Sequence, residues 1–247
     1  MRVATWNVRE GVPEGYEKRP PHSTVLDDMA AKVRELELDL LVLQEVDFSS
    51  NGDSHVINAI KSDTHLQNSR EYSYSPSSFY AGMRAGMALV TRFPIVRHSS
   101  FLLPNPDLKV SYEGRQVSTF DKGVLSCVVD MNGIRTSVVA VHMFPFHMFE
   151  RSASDPAFAS GWEHIRRLIS RLGEPLIVAG DFNTSKRDLV VRGSEQRLQS
   201  AVDAQITHRG FSADDILYSA GRFRIDRVDV LDNFSDHQLC VAELAVQ

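Results

Sequence analysis

Four short polar clusters carry most of the residues in this chain that can do chemistry. They are Trp6-Asn7-Val8, Leu43-Gln44-Glu45-Val46, Ala179-Gly180-Asp181-Phe182-Asn183 and Phe234-Ser235-Asp236-His237. The first three follow short apolar runs, and the fourth precedes one. His142 closes a further run and adds an imidazole at a strand end. An Asp beside a His can orient the ring and hold a metal or a water, although such a pair alone is common by chance. A carboxylate at the end of a buried strand is costly unless it has a partner. Glu45 therefore reads as a Mg²⁺ ligand, since Mg²⁺ takes one or two carboxylates plus waters and phosphate oxygens. In isolation it also reads as a solvated strand-end glutamate.

Asp181 can accept from a water or bind metal, and Asn183 can donate to a phosphoryl oxygen. The same pair also suits an Asx turn. Asn7 can position a metal-bound water or a carboxylate, and His142 can donate to a phosphate oxygen or serve a structural role. Together, these groups supply the parts for metal-assisted phosphoryl transfer. One divalent ion polarises the phosphate, a His-Asp pair handles the proton of the attacking water, and neutral donors hold the developing charge. There is no Cys/His spacing for zinc, no Gly-Xaa-Ser-Xaa-Gly elbow and no phosphate loop ending in Gly-Lys-Ser/Thr. His147, His164 and His208 stand outside the clusters and read as surface or loop residues.

The elements that must position these groups are mostly strands. Residues 3–6, 40–43, 79–81, 87–91, 124–131, 134–142, 176–179, 216–218, 223–230 and 239–244 carry strand patterns. Asn132-Gly133 suits a tight hairpin turn, because both residues tolerate positive φ. Residues 24–37 repeat Leu26, Met29, Ala30, Val33 and Leu36 at helical spacing, with Ser23 as N-cap. Residues 56–66 suggest a short helix and 156–172 a longer one. Many strands, one hairpin and two clear helices argue for an α+β protein with two facing sheets flanked by helices.

No linker or low-complexity stretch divides the 247 residues, so one domain over 1–247 is expected. A hydrophobic fraction of 43% is ample for a core, and a net charge of −5 advertises no overall basic surface. Cys127 and Cys240 read as core thiols of a reducing compartment. Residues 2–6 already read as the first strand, so no signal peptide is expected. No apolar run approaches the roughly 20 residues of a membrane span. The chain reads as soluble and cytoplasmic, with no stable protein partner.

The clusters occur in an order that resembles the endonuclease/exonuclease/phosphatase hydrolases. The matching segments are Thr5-Trp6-Asn7-Val8-Arg9, Leu43-Gln44-Glu45-Val46, Gly86-Met87-Ala88-Leu89-Val90-Thr91-Arg92-Phe93-Pro94-Ile95, Val139-Ala140-Val141-His142, Gly180-Asp181-Phe182-Asn183 and Ser235-Asp236-His237. The resemblance implies a four-layer α/β/β/α sandwich of two mostly antiparallel sheets, with the cleft at one rim. It implies Glu45 as the principal Mg²⁺ ligand (Mn²⁺ being the alternative ion), with Asn7 and Asp236 near the metal. His237 would contact the scissile phosphate or its water, and Asp181 and Asn183 would orient the nucleophile. Which of Asp181 and His237 takes the proton stays open.

The family also has an Asp that buttresses the final His. Asp214 and Asp226 compete for that role. Asp214 leaves room for a whole strand before Asp236, whereas Asp226 lies inside that strand, so Asp214 is preferred. Lys122 falls where many members carry a basic residue facing the phosphate, and a solvated lysine is an equal reading. Arg9 is the other candidate for substrate binding. The loop after His142, Met143-Phe144-Pro145-Phe146-His147-Met148-Phe149, either packs over the sheet, the preferred reading, or stacks a substrate group.

The leading expectation is a Mg²⁺-dependent phosphodiesterase acting on a small or lipid-like phosphoester. A nuclease is the runner-up and requires a basic stripe, for which Arg9, Arg84, Arg92 and Arg115 are candidates. A phosphomonoesterase is a further alternative. A non-catalytic phospho-ligand binder would lack some of Glu45, Asp181, Asn183, Asp236 and His237, and all five are present.

Overall fold

Strands that are apolar on both faces need cover on both sides. A computed structural model of the chain describes residues 1–16, 23–112, 114–193 and 197–247, the side chains of 23, 24, 112 and 115 excepted. Its elements in chain order are β1 (Arg2–Asn7), α1 (Ser23–Glu35), β2 (Leu40–Phe48), α2 (His55–Asp63), β3 (Asn68–Pro76), β4 (Arg84–Thr91), β5 (Ile95–Leu102), β6 (Lys109–Tyr112), β7 (Arg115–Ser118), β8 (Gly123–Met131), β9 (Ile134–His142), α3 (Ala159–Arg171), β10 (Leu176–Asp181), α4 (Asp188–Val191), β11 (Leu198–Ser200), β12 (Asp214–Ser219), β13 (Phe223–Leu231) and β14 (Leu239–Val246).

One sheet has the order β13-β14-β1-β2-β4-β3, the other β11-β12-β10-β9-β8-β5, and β6 and β7 form a separate hairpin. Most pairs are antiparallel. The exceptions are β1 with β2 and β9 with β10, one parallel pair near the middle of each sheet. The fold is α+β, with helices on the outer faces of two facing sheets.

Alternation along each strand sorts the core into three layers. Val3, Leu40, Val42 and Leu89 of the first sheet meet Leu125, Val138, Ile177 and Ile216 of the second between the sheets. Trp6, Leu41, Leu43 and Val90 face outward onto Met29 and Val33 of α1 and Ile57 and Ile60 of α2. Val139, Val178 and Leu217 face outward onto Trp162, Ile165 and Ile169 of α3. Cys127 and Cys240 are free thiols buried in the interior. No helix among the described residues is long and apolar enough to cross a membrane.

The structure departs from the sequence reading in places. Residues 79–81 are not a strand but part of the turn between β3 and β4. The Ser77 hydroxyl takes the Phe79 and Tyr80 N–H groups at 3.0 and 2.8 Å, so no neighbouring strand receives them. α1 stops at Glu35, and Glu37 turns left-handed at φ +48°. The Ser23 cap falls on a side chain outside the described ones. α2 is capped by Ser54 Oγ, which accepts from the Ile57 N–H at 3.1 Å. The helix expected over 156–172 begins as a 3-10 turn, Pro156–Phe158, and continues as α3. β3, β5, β6, β7 and β11 had no counterpart in the sequence reading.

Candidate active site

The parallel pairs bring two sets of strand ends to one rim. Asn7 lies opposite Gln44 in the first sheet, and Asp181 lies opposite His142 in the second. Period-two alternation decides which side chains enter the gap. Val3, Thr5 and Asn7 share a face, as do Val138, Ala140 and His142, and Ile177, Ala179 and Asp181. Asn7 Nδ2 crosses between the sheets to donate to Asp181 Oδ2 at 3.2 Å.

Glu45 obeys a different rule. Plain alternation would put it beside Leu41 and Leu43, under the helices. A bulge in the β2–β4 pairing between Gln44 and Val46 inserts Glu45 as an unpaired residue at φ +52°. Val46 and Phe48 then return to the helix side, while Glu45 lines the cleft. A non-glycine residue in this region costs about 1–2 kcal/mol, which the surrounding ladder must hold in place.

Asp181 is buried and tied down on several sides. Its Oδ1 accepts the Asn183 N–H at 2.8 Å, and its Oδ2 accepts Asn183 Nδ2 at 3.1 Å. The Asx turn and the chemical reading of this pair thus coexist. Asn183 Nδ2 also donates to the Met143 carbonyl at 3.0 Å. Gly180 lies inside the paired run of β10 at φ +151°, which L side chains rarely adopt. A Cβ there would lie 1.9 Å from the Val141 oxygen, so only glycine lets β10 run this close to β9. Burial pushes the Asp181 carboxyl up, His237 and Lys122 pull it down and Asp214 pushes it up, leaving it at about 7.

Asp214 shares its face of β12 with Ile216 and Tyr218, and its Oδ2 sits 2.9 Å from His237 Nδ1. Asp226 is on β13, where it accepts from exposed Arg224. Burial works against a charge on His237, but Asp214, Asp181 and Asp236 outweigh it and hold the ring up at about 10. The loop that presents His237 is fastened from both sides. Ser235 Oγ donates to the Asn7 carbonyl at 2.8 Å, Asn233 Nδ2 donates to the His237 carbonyl at 2.8 Å, and Trp6 Nε1 donates to Asn233 Oδ1 at 3.0 Å. Asp236 pairs with Arg9 at 3.4 Å and Arg209 at 3.3 Å.

His142 is held neutral, because burial and then the charges of Lys122 and His237 push it well below the ordinary range. Lys122 Nζ can only donate, and it lies 2.7 Å from His142 Nε2. His142 Nε2 must therefore accept, which leaves Nδ1–H to donate to Tyr74 Oη at 2.8 Å. Both ring nitrogens of His142 are thus engaged, Nδ1 by Tyr74 and Nε2 by the Lys122 ammonium.

Several site residues escaped the sequence reading. His208 is no surface residue. It is 6% exposed, and its ring stacks on His237 with centroids 4.0 Å apart. Its Nδ1 lies 3.1 Å from the Asp236 carbonyl. Burial and the His237 charge hold it down at about 4. His147 is exposed but lines the cavity, while His164 bonds the Ser160 carbonyl on α3. Glu10 lies in a left-handed turn with Arg9 and Gly11, at φ of 44, 55 and 74° in chain order. Its buried carboxylate accepts from Ser77 Oγ and, at 2.9 Å, from the Ser78 N–H. Burial raises it to about 7.

A cavity of about 220 Å³ opens at this rim, lined by Arg9, Glu45, Lys122, His142, Asp181 and His237 among others. Of the proposed basic stripe, Arg92 pairs with Asp39 at the opposite rim. Arg84 donates to Ser73 at 2.9 Å, and the Arg115 side chain lies outside the described ones. The Glu45 carboxylate is 30% exposed and takes no hydrogen bond among the described residues. Open carboxylate oxygens suit a hard, oxygen-seeking cation. Among the described residues, two groups of three side chains also have ligand atoms within 4.8 Å of one another, His208 with Asp236 and His237, and Asp181 with Asp214 and His237.

Fold and site together define an enzyme that hydrolyses phosphoester bonds. The chain belongs to the Endonuclease/Exonuclease/phosphatase family, whose sequence profile matches residues 4–237. Among solved structures it is similar to a family protein from Leptotrichia buccalis at 16% identity and TM-score 0.72, covering 99% of each chain. It is similar to the human Nocturnin catalytic domain with bound sulfate at 17% and 0.67, covering 100% of this chain and 94% of that one. It is also similar to a mannosyl-6-phosphatase from Bacteroides thetaiotaomicron at 15% and 0.66, covering 99% of each. At these identities the likeness is one of fold. No curated protein matches the chain.

Proposed function

We propose that residues 1–247 act as one Mg²⁺-dependent phosphodiesterase unit, with Mn²⁺ as the alternative ion. The observation that carries this reading is that Glu45, Asp181 and His237, from three distant segments, line one cavity. Glu45 would hold the ion, with Asn7 and Asp236 beside it. When bound, the ion polarises the phosphate and offsets its charge. Asp181, near 7, is poised to take a proton from water, and Asn7 and Asn183 keep its carboxylate aimed. His237, held cationic by Asp214, donates from Nε2 to a phosphoryl oxygen. His142 orients Lys122, whose remaining N–H groups face the developing charge. Arg9 contributes to substrate binding at the cavity wall.

The test compares bis-p-nitrophenyl phosphate with p-nitrophenyl phosphate, using Mg²⁺, Mn²⁺ or chelator, for the wild type and His237→Ala. Metal-dependent cleavage of the diester that the variant loses is the expected result. Cleavage of the monoester alone would move the protein to the phosphomonoesterase reading.

A further inference from the structure

The cavity changes character away from Glu45 and Asp181. There its wall is Val117, Phe120, Pro145, Met148 and Phe149. Phe120 is 51% exposed. A lone exposed aromatic is ordinary, but this one shares a cavity with the reacting groups and with four other apolar side chains. The wall is also preformed. Phe146 packs edge-on against Phe158 at 4.7 Å and stacks with Trp162 at 5.8 Å, fixing the loop that carries Pro145 and Met148. Phe144, Phe146 and Phe149 are themselves buried.

The arginines lining the cavity are engaged with acids of the chain, and Lys122 is held against His142. Arg9 and Arg209 both face Asp236, and Arg209 also pairs with Glu14. Arg92 is at the opposite rim. Among the described residues little would guide a long polyanion, whose binding depends on a track of available Lys and Arg.

We infer that the apolar wall binds the organic group of the substrate, and that this substrate is a small phosphodiester carrying one aryl-sized apolar group. The inference rests on the phosphodiesterase reading and names its substrate class. Size agrees, since a cavity of about 150 Å³ admits benzene. The ≈220 Å³ here accommodates one such ring beside a phosphate. A diester bound this way is oriented by its ring before the phosphate meets Asp181 and His237.

The experiment compares the O-methyl and O-benzyl S-methyl phosphorothioate diesters, followed by release of methanethiol, for the wild type, Phe120→Ala and Phe120→Leu. The benzyl ester should have a kcat/KM about tenfold higher in the wild type, mostly through KM. Phe120→Ala should cut the benzyl ester's value about fivefold more than the methyl ester's, with Phe120→Leu between. Equal wild-type values, or equal losses for both esters, would overturn the inference. So would preferential cleavage of a single-stranded oligonucleotide that falls steeply between about 50 and 200 mM salt. If neither ester is hydrolysed, the phosphodiesterase reading fails separately, and calorimetry with phenylphosphonate against methylphosphonate decides the wall. A tenfold phenyl preference lost in Phe120→Ala supports the wall, and equal affinities overturn it.

Discussion

Asp214 Oδ2 lies 2.9 Å from His237 Nδ1, and both side chains are buried. The carboxylate keeps the imidazole charged in a place where burial alone would neutralise it. Asp214→Asn keeps the shape and removes the charge. We expect kcat to fall about 10²- to 10⁴-fold and the His237 titration, followed by NMR, to move back toward the ordinary histidine range. The folded ring titrates near 10, above its ordinary 6.5. Its contribution to stability is therefore full below pH 6.5 and is lost as pH rises through 10. The wild-type melting temperature should decline across that window, and the variant should decline less. An unmoved His237 titration would contradict the assignment.

Glu45 presents an open carboxylate to the cleft, and Glu45→Gln retains its size without its charge. Mg²⁺ at about 100 times its dissociation constant should stabilise the wild type by about 2.7 kcal/mol, which is roughly 5–10 °C for a chain of this length. Differential scanning fluorimetry should show less than half that shift in the variant. An equal shift in both proteins would place the ion elsewhere.

Glu10 is raised to about 7 from 4.5, chiefly by burial. A folded value above the unfolded one means its favourable contribution is complete below about pH 4.5 and lost as pH rises through 7. Above that, the fold carries a buried charge. A glutamine at this position can still accept from the Ser78 N–H through its one oxygen and turn its amide N–H toward the Ser77 hydroxyl oxygen. Urea titration should find Glu10→Gln more stable than the wild type at pH 8, by about 1–2 kcal/mol, and equal to it at pH 4.5. No gain at pH 8 would show that the carboxylate is satisfied where it stands.

Arg187 ties together the two segments that carry Asp181, Asn183 and Asp214. It donates to Asp215 Oδ2 at 2.6 Å, to the Asp214 carbonyl at 3.0 Å and to the Thr184 carbonyl, with Phe182 under its plane at 5.0 Å. Lysine keeps the charge but not the fork. Arg187→Lys should lower kcat about tenfold through misplacement of these groups, with KM little changed. Steady-state kinetics with kcat unaltered would reduce Arg187 to a structural role.

Much of this site was legible because strands simplify geometry. Asn7, Asp181, His142 and Asp214 each keep the parity of the apolar residues before or after them, so the pattern that predicts the core also aims the polar groups. Spacing alone separated Asp214 from Asp226. Contacts made through register between distant segments were not legible. His208 meets His237 through a single antiparallel bridge 29 positions away, and nothing in Thr207-His208-Arg209 marks it. Lys122 reaches His142 because β8 and β9 pair along their length. β5 was missed because it is an edge strand exposed along most of its length, with no apolar stripe to read.

Glu45 is a supernumerary residue. Excised, it would leave Leu41, Leu43, Val46 and Phe48 alternating without a break on the helix side, and β2 could pair with β4 from end to end. The protein would then own a better strand and lack the Glu45 carboxylate in its cleft. Selection for stability alone would delete this position. Its place therefore serves the cleft and not the sheet, and a redesign that regularises the sheet would remove that carboxylate first.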